Sequence, residues 1–441
     1  MRMNRQSETV RGYVLENLEN GIFRPGARLP GSRKIADLLG ISRPVVQSAL
    51  DTLVNEGLLV SVSRSGLYVD ENWTSRRIRA CIRLYTHREF LPWLGMFGKE
   101  MASVAPELHI STRCEEGAFE IVTTAVAQTR YREYVDLAPL VKACFPDMSP
   151  FYAEQLRPFM QGERLTALPF LFSPRIIACN RRMLAEAGCP EPDPAWSMDD
   201  FAGIIAKLRA HFPAERIFPW NTNAYLWMNF VLCFGGRLFC LEKDDPVCFD
   251  SPETVEALTF FSSLRGRKAL RFGREDAQNY DRFAVSVLER QLYSTHRRRF
   301  DDDFIFLPMP GASAAHSGRS IQATELFVMR RGSVDRDLCM RIMGFLWSEK
   351  FQDHLAELRY GLPIRRSSLE RAFLPGNSAD AVFRAAMGRL CNDYNISSPA
   401  LFDLVLHGIA SIIAEGGDTR SRLRELADCV RVYLKYTKKE F

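Results

Sequence analysis

Residues Ser32 to Gly57 read SRKIADLLGISRPVVQSALDTLVNEG. Ile35, Ala36, Leu38 and Leu39 fall at helical spacing behind Ser32, an N-cap candidate, and Gly40 supplies a C-terminal stop. The chain restarts at Ile41-Ser42-Arg43-Pro44, with Ser42 as the next cap and Pro44 in the first turn, where its missing amide hydrogen costs nothing. The helix that follows buries Val46, Leu50 and Leu53. Working outward, Val10, Tyr13, Val14 and Leu18 mark an earlier helix that Asn20-Gly21 stops, and Phe23-Arg24-Pro25-Gly26 makes a turn. Downstream, Leu58-Leu59-Val60 and Leu67-Tyr68-Val69 read as short strands joined by Ser63-Arg64-Ser65-Gly66. Three helices and a hairpin in this order form a winged helix-turn-helix pattern.

The polar residues suit DNA. A recognition helix enters the major groove by its N-terminal end, where capping hydroxyls and amides meet phosphate and long side chains reach base edges. Ser42, Arg43 and Gln47 occupy that end, Arg33 and Lys34 open the preceding helix, and Arg64 with Gly66 tips the wing.

Arg11 to Val69 resembles the winged helix of the GntR family. The residues that carry the likeness are Gly21, Pro25-Gly26, Leu29-Pro30, Arg33, Ile35-Ala36, Gly40, Ser42-Arg43, Val46, Ala49-Leu50, Leu53, Glu56-Gly57, Gly66 and Tyr68-Val69. The resemblance implies DNA contacts from Arg33, Arg43 and Gly66, and a homodimer on a palindromic site. Gly31 and Ser32 replace the common Ser-Glu before Arg33, Gln47 replaces an Arg, and Leu67 replaces the Thr after the wing glycine. Gln47 favours adenine where Arg favours guanine, so an atypical half-site is expected.

At 441 residues the chain has room for two or three domains, and 46% hydrophobic content is enough for packed cores. Its net charge of +5 is too mild to indicate nucleic-acid binding by itself. The eleven cysteines are scattered singly with no CxxC pair, which points to reduced thiols rather than disulfides or a metal site. Met1 to Asn20 is polar and nothing approaches the run of about eighteen apolar residues that a membrane span needs, so no membrane association and a cytoplasmic location are expected.

From Ile78 onward, strand-like runs alternate with helical patterns, the mark of an α/β architecture. Ala80–Tyr85 and Leu108–Thr112 read as strands; Leu91–Val104 and Phe119–Thr129 read as helices. Arg164–Pro169 and Arg175–Cys179 read as a crossing into a second lobe, and Ser197 and Ser251 as helix caps. Ala379–Lys439 reads as helical throughout.

These pieces resemble the sugar-binding group of ABC-transporter extracellular solute-binding proteins. The matches are Leu168-Pro169-Phe170, Asn180-Arg181-Arg182-Met183-Leu184 with Ala187-Gly188, Pro194-Ala195-Trp196 leading to Asp200-Phe201, Gly235-Gly236, Asp250-Ser251-Pro252-Glu253 with Ala257-Leu258, Leu307-Pro308-Met309-Pro310-Gly311, and Gly361-Leu362-Pro363-Ile364-Arg365. They cover roughly Arg79 to Leu374; Cys179 and Ala195 depart from the usual Tyr and Thr. The resemblance implies a type II periplasmic-binding fold whose two lobes close on a ligand. In sugar-binding members aromatic faces stack on pyranose rings while amides and carboxylates match hydroxyls. The candidates are Trp93, Glu115, Asp136, Phe172, Trp220, Asn221, Tyr225, Trp227 and His296.

The expected organisation is a winged helix over 1–70, a linker over 71–78, a two-lobed effector domain over 79–375, and a helical segment over 376–441 on that domain or at a dimer interface. The run Arg297-Arg298-Arg299 before Asp301-Asp302-Asp303 reads as a solvated loop, not a metal or nucleic-acid site. No GxSxG, P-loop or HxxxH spacing appears, so a non-enzyme without cofactor or metal is expected. The function that follows is a ligand-responsive regulator, a repressor that binds double-stranded operator DNA and senses a mono- or oligosaccharide. Two alternatives stay open: a body that senses a non-sugar small molecule, and an aminotransferase-like pyridoxal-phosphate body, against which the surroundings of Lys243 and Lys268 argue. A transport protein proper fits neither the head nor the polar N-terminus.

Overall fold

A computed structural model describes residues 5–19, 22–55, 58–63, 65–71, 81–84, 91–104, 108–111, 117–240, 243–265, 282–331, 336–391 and 399–436. The N-terminal unit consists of α1 (Arg5–Glu19), α2 (Ser32–Leu39), α3 (Arg43–Asn55) and an antiparallel hairpin of β1 (Leu59–Val62) and β2 (Gly66–Val69). Val10, Val14, Ile35, Val46, Leu50, Leu53 and Val69 close its core. The cap of α2 is Gly31 rather than Ser32, which is already helical; Gly40 ends the helix in the left-handed region as expected. Leu38 points to solvent at 62% exposure because Ile35 and Ala36 take the buried face.

The first lobe is built on a six-stranded sheet in the order β14-β8-β13-β5-β3-β4. Its strands are β3 (Cys81–Leu84), β4 (His109–Ser111), β5 (Phe119–Thr123), β8 (Leu168–Ser173), β13 (Ala323–Met329) and β14 (Leu362–Pro363). β3 runs parallel to β4 and β5, whereas β13 lies antiparallel between β5 and β8. Around this sheet lie α4 (Leu94–Val104), α5 (Thr124–Thr129), α6 (Ala138–Cys144), α13 (Arg336–Leu346), α14 (Glu349–Leu358), α15 (Arg366–Arg371) and the hairpin of β6 (Met160–Gln161) and β7 (Arg164–Leu165). The helix expected over Phe119–Thr129 is instead strand β5 followed by the short α5. Phe119 to Val122 are all buried between β3 and β13, the acidic Glu120 included, and a strand buried on both faces lacks the alternation of buried and exposed residues that would mark it in the sequence.

The second lobe has a three-stranded antiparallel sheet with β9 (Arg175–Asn180) between β10 (Val285–Glu289) and β11 (Phe304–Leu307). Its helices are α7 (Arg181–Glu186), α8 (Met198–His211), α9 (Ala224–Cys233), α10 (Pro252–Ser263), α11 (Arg290–Thr295) and α12 (Arg297–Asp303). Ser197 closes a capping box with Asp200 at the start of α8, and Ser251 caps α10. The charged run 297–303 is thus a helix rather than a loop: Phe300 anchors it in the core, and Arg297 pairs with Asp301 one turn on at 3.6 Å.

The C-terminal part is not uniformly helical. After α16 (Ser378–Ala386) the chain forms β15 (Leu390–Cys391), which pairs in parallel with β12 (Ser320–Ile321), before α17 (Pro399–Glu415) and α18 (Thr419–Tyr436) pack on α10. Two residues of strand pairing leave no periodicity to read. Leu401, Val405 and Ile409 are buried on α17, but Leu404 is 41% exposed.

The chain crosses between lobes at Ser173–Arg175 and again at Ile321–Ala323. Serine hydroxyls fix these crossings: Arg175 N donates to Ser320 Oγ at 3.0 Å, and Arg290 N donates to Ser173 Oγ at 2.8 Å. Arg290 is fully buried between Phe373 and Phe383 and pairs with Asp380 at 2.7 Å. Burial outweighs that pairing and pushes the guanidinium pKa down to about 10. Among the described residues, no helix is long and apolar enough to cross a membrane.

Candidate functional site

Two surfaces carry chemistry. On the winged helix, Arg33 and Lys34 lie exposed on α2, and Ser42, Arg43 and Gln47 lie exposed at the start of α3, opposite the buried Val46, Ala49, Leu50 and Leu53. Gly66 begins β2 with φ +117°, a conformation that favours glycine, and a Cβ there would sit 3.2 Å from Arg28 Nε. Arg28 itself is exposed, bridges Tyr68, and so places a cation beside the wing. Arg28 was not read from the sequence, because only the fold of the wing brings it there. Arg64 lies outside the described residues.

The second surface is the lobe junction. Thr124 and Gln128 on α5, Pro158, Phe159, Ile321, Gln322 and Cys391 line a small, partly open cavity with room for about one water. Gln322 is 4% exposed, and neither polar atom of its amide has a hydrogen-bond partner within the protein. Gln128 Nε2 donates to Pro158 O at 3.3 Å, but its Oε1 is unpartnered. The hydroxyls of Thr124 and Thr324 bond to each other across α5 and β13. Buried polar groups of this kind normally find partners; Gln155 and Gln291 elsewhere in the interior each leave an amide oxygen without one, whereas Gln322 leaves both of its amide atoms so. No side chain lining the cavity is charged.

Of the residues expected to bind ligand, Tyr225 is linked to this junction through Arg175 and Asn229, and Asn221 lies beside Tyr225. Arg175 donates to Ile321 O at 2.8 Å and lies over the half-buried Tyr225 ring at 5.9 Å. Asn229 accepts from Ile321 N and donates to Tyr225 O, which ties α9 to the crossing strand. Asn221 Oδ1 accepts from Asn223 N, and its Nδ2 lies 3.4 Å from the Tyr225 hydroxyl.

Other expected ligand residues serve the core instead. Trp93 is wholly buried, packs edge-on against Phe97, Phe170 and Phe351, and donates to Glu325 at 2.8 Å. Phe172 is wholly buried in β8. Trp220 stacks on Phe261 and donates to its carbonyl, and Trp227 donates to Thr222 O with no exposed surface. Asp136 spends its Oδ1 on the amides of Ala138 and Leu165, fixing the start of α6. Large aromatics gain most by full burial, which is why these went inward. His296 is half-buried at the joint of α11 and α12, and Glu115 lies outside the described residues. Gln322, Gln128 and Thr124 were missed; the one local signal is the polar trio Gln322, Thr324 and Glu325 just before and at the head of the apolar run Leu326–Met329.

Residues 6–69 match the family described as bacterial regulatory proteins, gntR family. The chain is 40% identical over 76 residues to the HTH-type transcriptional repressor NagR of Bacillus subtilis (strain 168), covering 16% of this chain and 31% of that protein. It is 34% identical over 64 residues to the histidine utilization repressor of Klebsiella aerogenes, covering 14% of this chain and 27% of that protein. The chain therefore spans less than a third of the length of either relative. Among solved structures, a solute-binding protein from Thermotoga lettingae TMO bound with alpha-D-tagatose aligns with TM-score 0.66 at 13% identity, over 79% of this chain and 97% of that one. UgpB from Mycobacterium tuberculosis in complex with glycerophosphocholine gives 0.66 at 14%, over 81% and 98%. Maltose-bound T. maritima MalE3 gives 0.63 at 13%, over 80% and 99%. The N-terminal unit is a GntR-type winged helix, and the rest of the chain has the fold of ABC-transporter solute-binding proteins rather than an aminotransferase-like fold.

Proposed function

We propose that this chain is a ligand-responsive transcription regulator. Two copies place α3 in successive major grooves of operator DNA, with Arg43 and Gln47 on base edges and Arg33, Lys34, Ser42, Arg64 and Gly66 on the backbone and wing contacts. The two-lobed body takes up a small molecule at the lobe junction, where the lobes part from their water-sized spacing to seat it against Gln322, Gln128, Thr124, Asn221 and Tyr225. A carbohydrate suits a lining of amides and hydroxyls with no charge, since these groups match sugar hydroxyls in both directions. The observation that carries the reading is the buried Gln322 amide: it stands on the strand crossing between lobes, so a ligand bonding it acts where lobe closure is set.

Ligand binding can change operator affinity only by its differential affinity for the two arrangements of the body, typically about 1–3 kcal/mol or 5- to 150-fold. Repression relieved by ligand is the favoured sign, because two relatives of the head bear the name repressor. The glycerophosphocholine carried by one fold neighbour supports a second reading, a small polar non-sugar ligand.

The test uses the purified full-length chain. Operator sequences are selected from random DNA, and melting temperature is followed against mono- and oligosaccharides, glycerophosphodiesters, amino acids and pyridoxal phosphate. A palindromic consensus, and one sugar class that raises the melting temperature and shifts operator affinity, is the expected result. A ligand that stabilises the body without moving DNA affinity, or no enriched sequence, would refute the regulator.

A further inference from the structure

We infer that Asp51, a residue outside the family pattern considered above, positions the Gln47 amide and thereby sets which base α3 reads; this rests on the proposed DNA-binding role. Arg43, Gln47 and Asp51 follow one another at steps of four along the exposed stripe of α3, on the side away from Val46, Leu50 and Leu53. Gln47 Nε2 donates to Asp51 Oδ1 at 2.9 Å.

A primary amide can turn over about its last bond, exchanging donor and acceptor edges at little cost. A carboxylate ends that degeneracy because it only accepts: Nε2 must face Asp51 and Oε1 must face away. One N–H is then spent on Asp51, and the outward edge offers Oε1 as acceptor beside the second N–H as donor. That edge complements adenine, which presents the N6 amino donor beside the N7 acceptor in the major groove. Guanine presents two acceptors, O6 and N7, so Oε1 would face O6 with no proton between them. A free glutamine would turn over and tolerate both purines better. The pair therefore reads adenine and rejects guanine, where an arginine in place of Gln47 would do the reverse.

The test starts from the operator selected with the full-length protein. Wild type, Gln47→Arg, Asp51→Ala and Asp51→Asn are titrated by fluorescence anisotropy against that operator and its single-base variants, with an unrelated duplex as control. Gln47→Arg identifies the base concerned by switching its preference to guanine. Wild type is expected to prefer adenine over guanine there by about tenfold. Asp51→Ala is expected to cut that ratio to about twofold, while binding to the unrelated duplex stays level or rises with the lost negative charge. Asp51→Asn, whose amide donates as well as accepts, again lets the Gln47 amide turn over and is expected to fall well below the wild-type ratio. A role in helix stability alone would weaken every duplex equally. Full discrimination retained in Asp51→Ala, or guanine or cytosine selected by wild type at that position, overturns the inference and leaves the regulator intact; a selection that enriches nothing overturns both.

Discussion

Replacing Gln322 by leucine should stabilise the unliganded protein while impairing its response to ligand. The side chain is 4% exposed, and both polar atoms of its amide lack partners at the junction cavity. An unsatisfied buried polar group costs about 1–3 kcal/mol, and leucine, one bond shorter and apolar, removes that cost and adds apolar contact with Ile321 and Phe159. The expected gain is about 1–3 kcal/mol, a rise in melting temperature of roughly 2–6 °C for the body, since large domains shift by only a few degrees per kcal/mol. Ligand affinity should fall about tenfold with the loss of hydrogen bonds to the buried amide. Operator affinity without ligand should not change, because the head has its own core far from this residue in the chain. Differential scanning calorimetry of the apo variant, titration calorimetry with the identified ligand, and anisotropy on the operator measure the three quantities. An apo variant less stable than wild type, or one with undiminished ligand affinity, would refute the idea that this amide is kept unpaired for a ligand.

Three further outcomes follow from the same geometry. Arg43→Ala should weaken operator binding by 1–3 kcal/mol, about 5- to 150-fold, and leave the ligand-induced melting shift untouched, as measured by anisotropy and calorimetry. Gly66→Val should destabilise the head by about 1 kcal/mol or more and lower DNA affinity, because φ +117° strains a branched residue and its Cβ would meet Arg28 at 3.2 Å; urea unfolding of the full chain should show the head transition moving earlier. Ser197→Ala should cost about 1 kcal/mol at neutral pH by chemical denaturation. The amide and hydroxyl of Ser197 hold the Asp200 carboxyl below its usual range, so its share of the capping box is present above the unfolded pKa near 3.9 and is lost as pH falls through the lower folded value. The difference between variant and wild type should therefore shrink below about pH 4.

The head was legible in the sequence almost residue by residue. Gly40, Ser42 and Pro44 act through backbone preferences of one or two residues, and the spacing of Val46, Leu50 and Leu53 writes the buried face of α3 directly. The helix starts at Ser197 and Ser251 were equally plain, since a cap is a contact across three residues. In the body, the order of motifs gave the architecture, yet the aromatic residues that looked suited to a sugar turned out to fill the core. Trp93, Trp220 and Trp227 carry an indole N–H that a carbonyl or carboxylate can satisfy inside, and nothing local tells a packed ring from an exposed one.

The junction depended wholly on tertiary structure. Thr124 meets Thr324 across 200 positions of sequence, and Gln322 meets Gln128 and Cys391 only because β13 lies beside β5 and β15 pairs with β12. The sequence by itself determined the winged helix, its caps and the alternation of strands and helices, because each is a short-range pattern of burial and backbone preference. Which polar groups end up facing one cavity was decided by sheet order and lobe crossing, since a side chain's partners across the fold leave no period in its own neighbourhood.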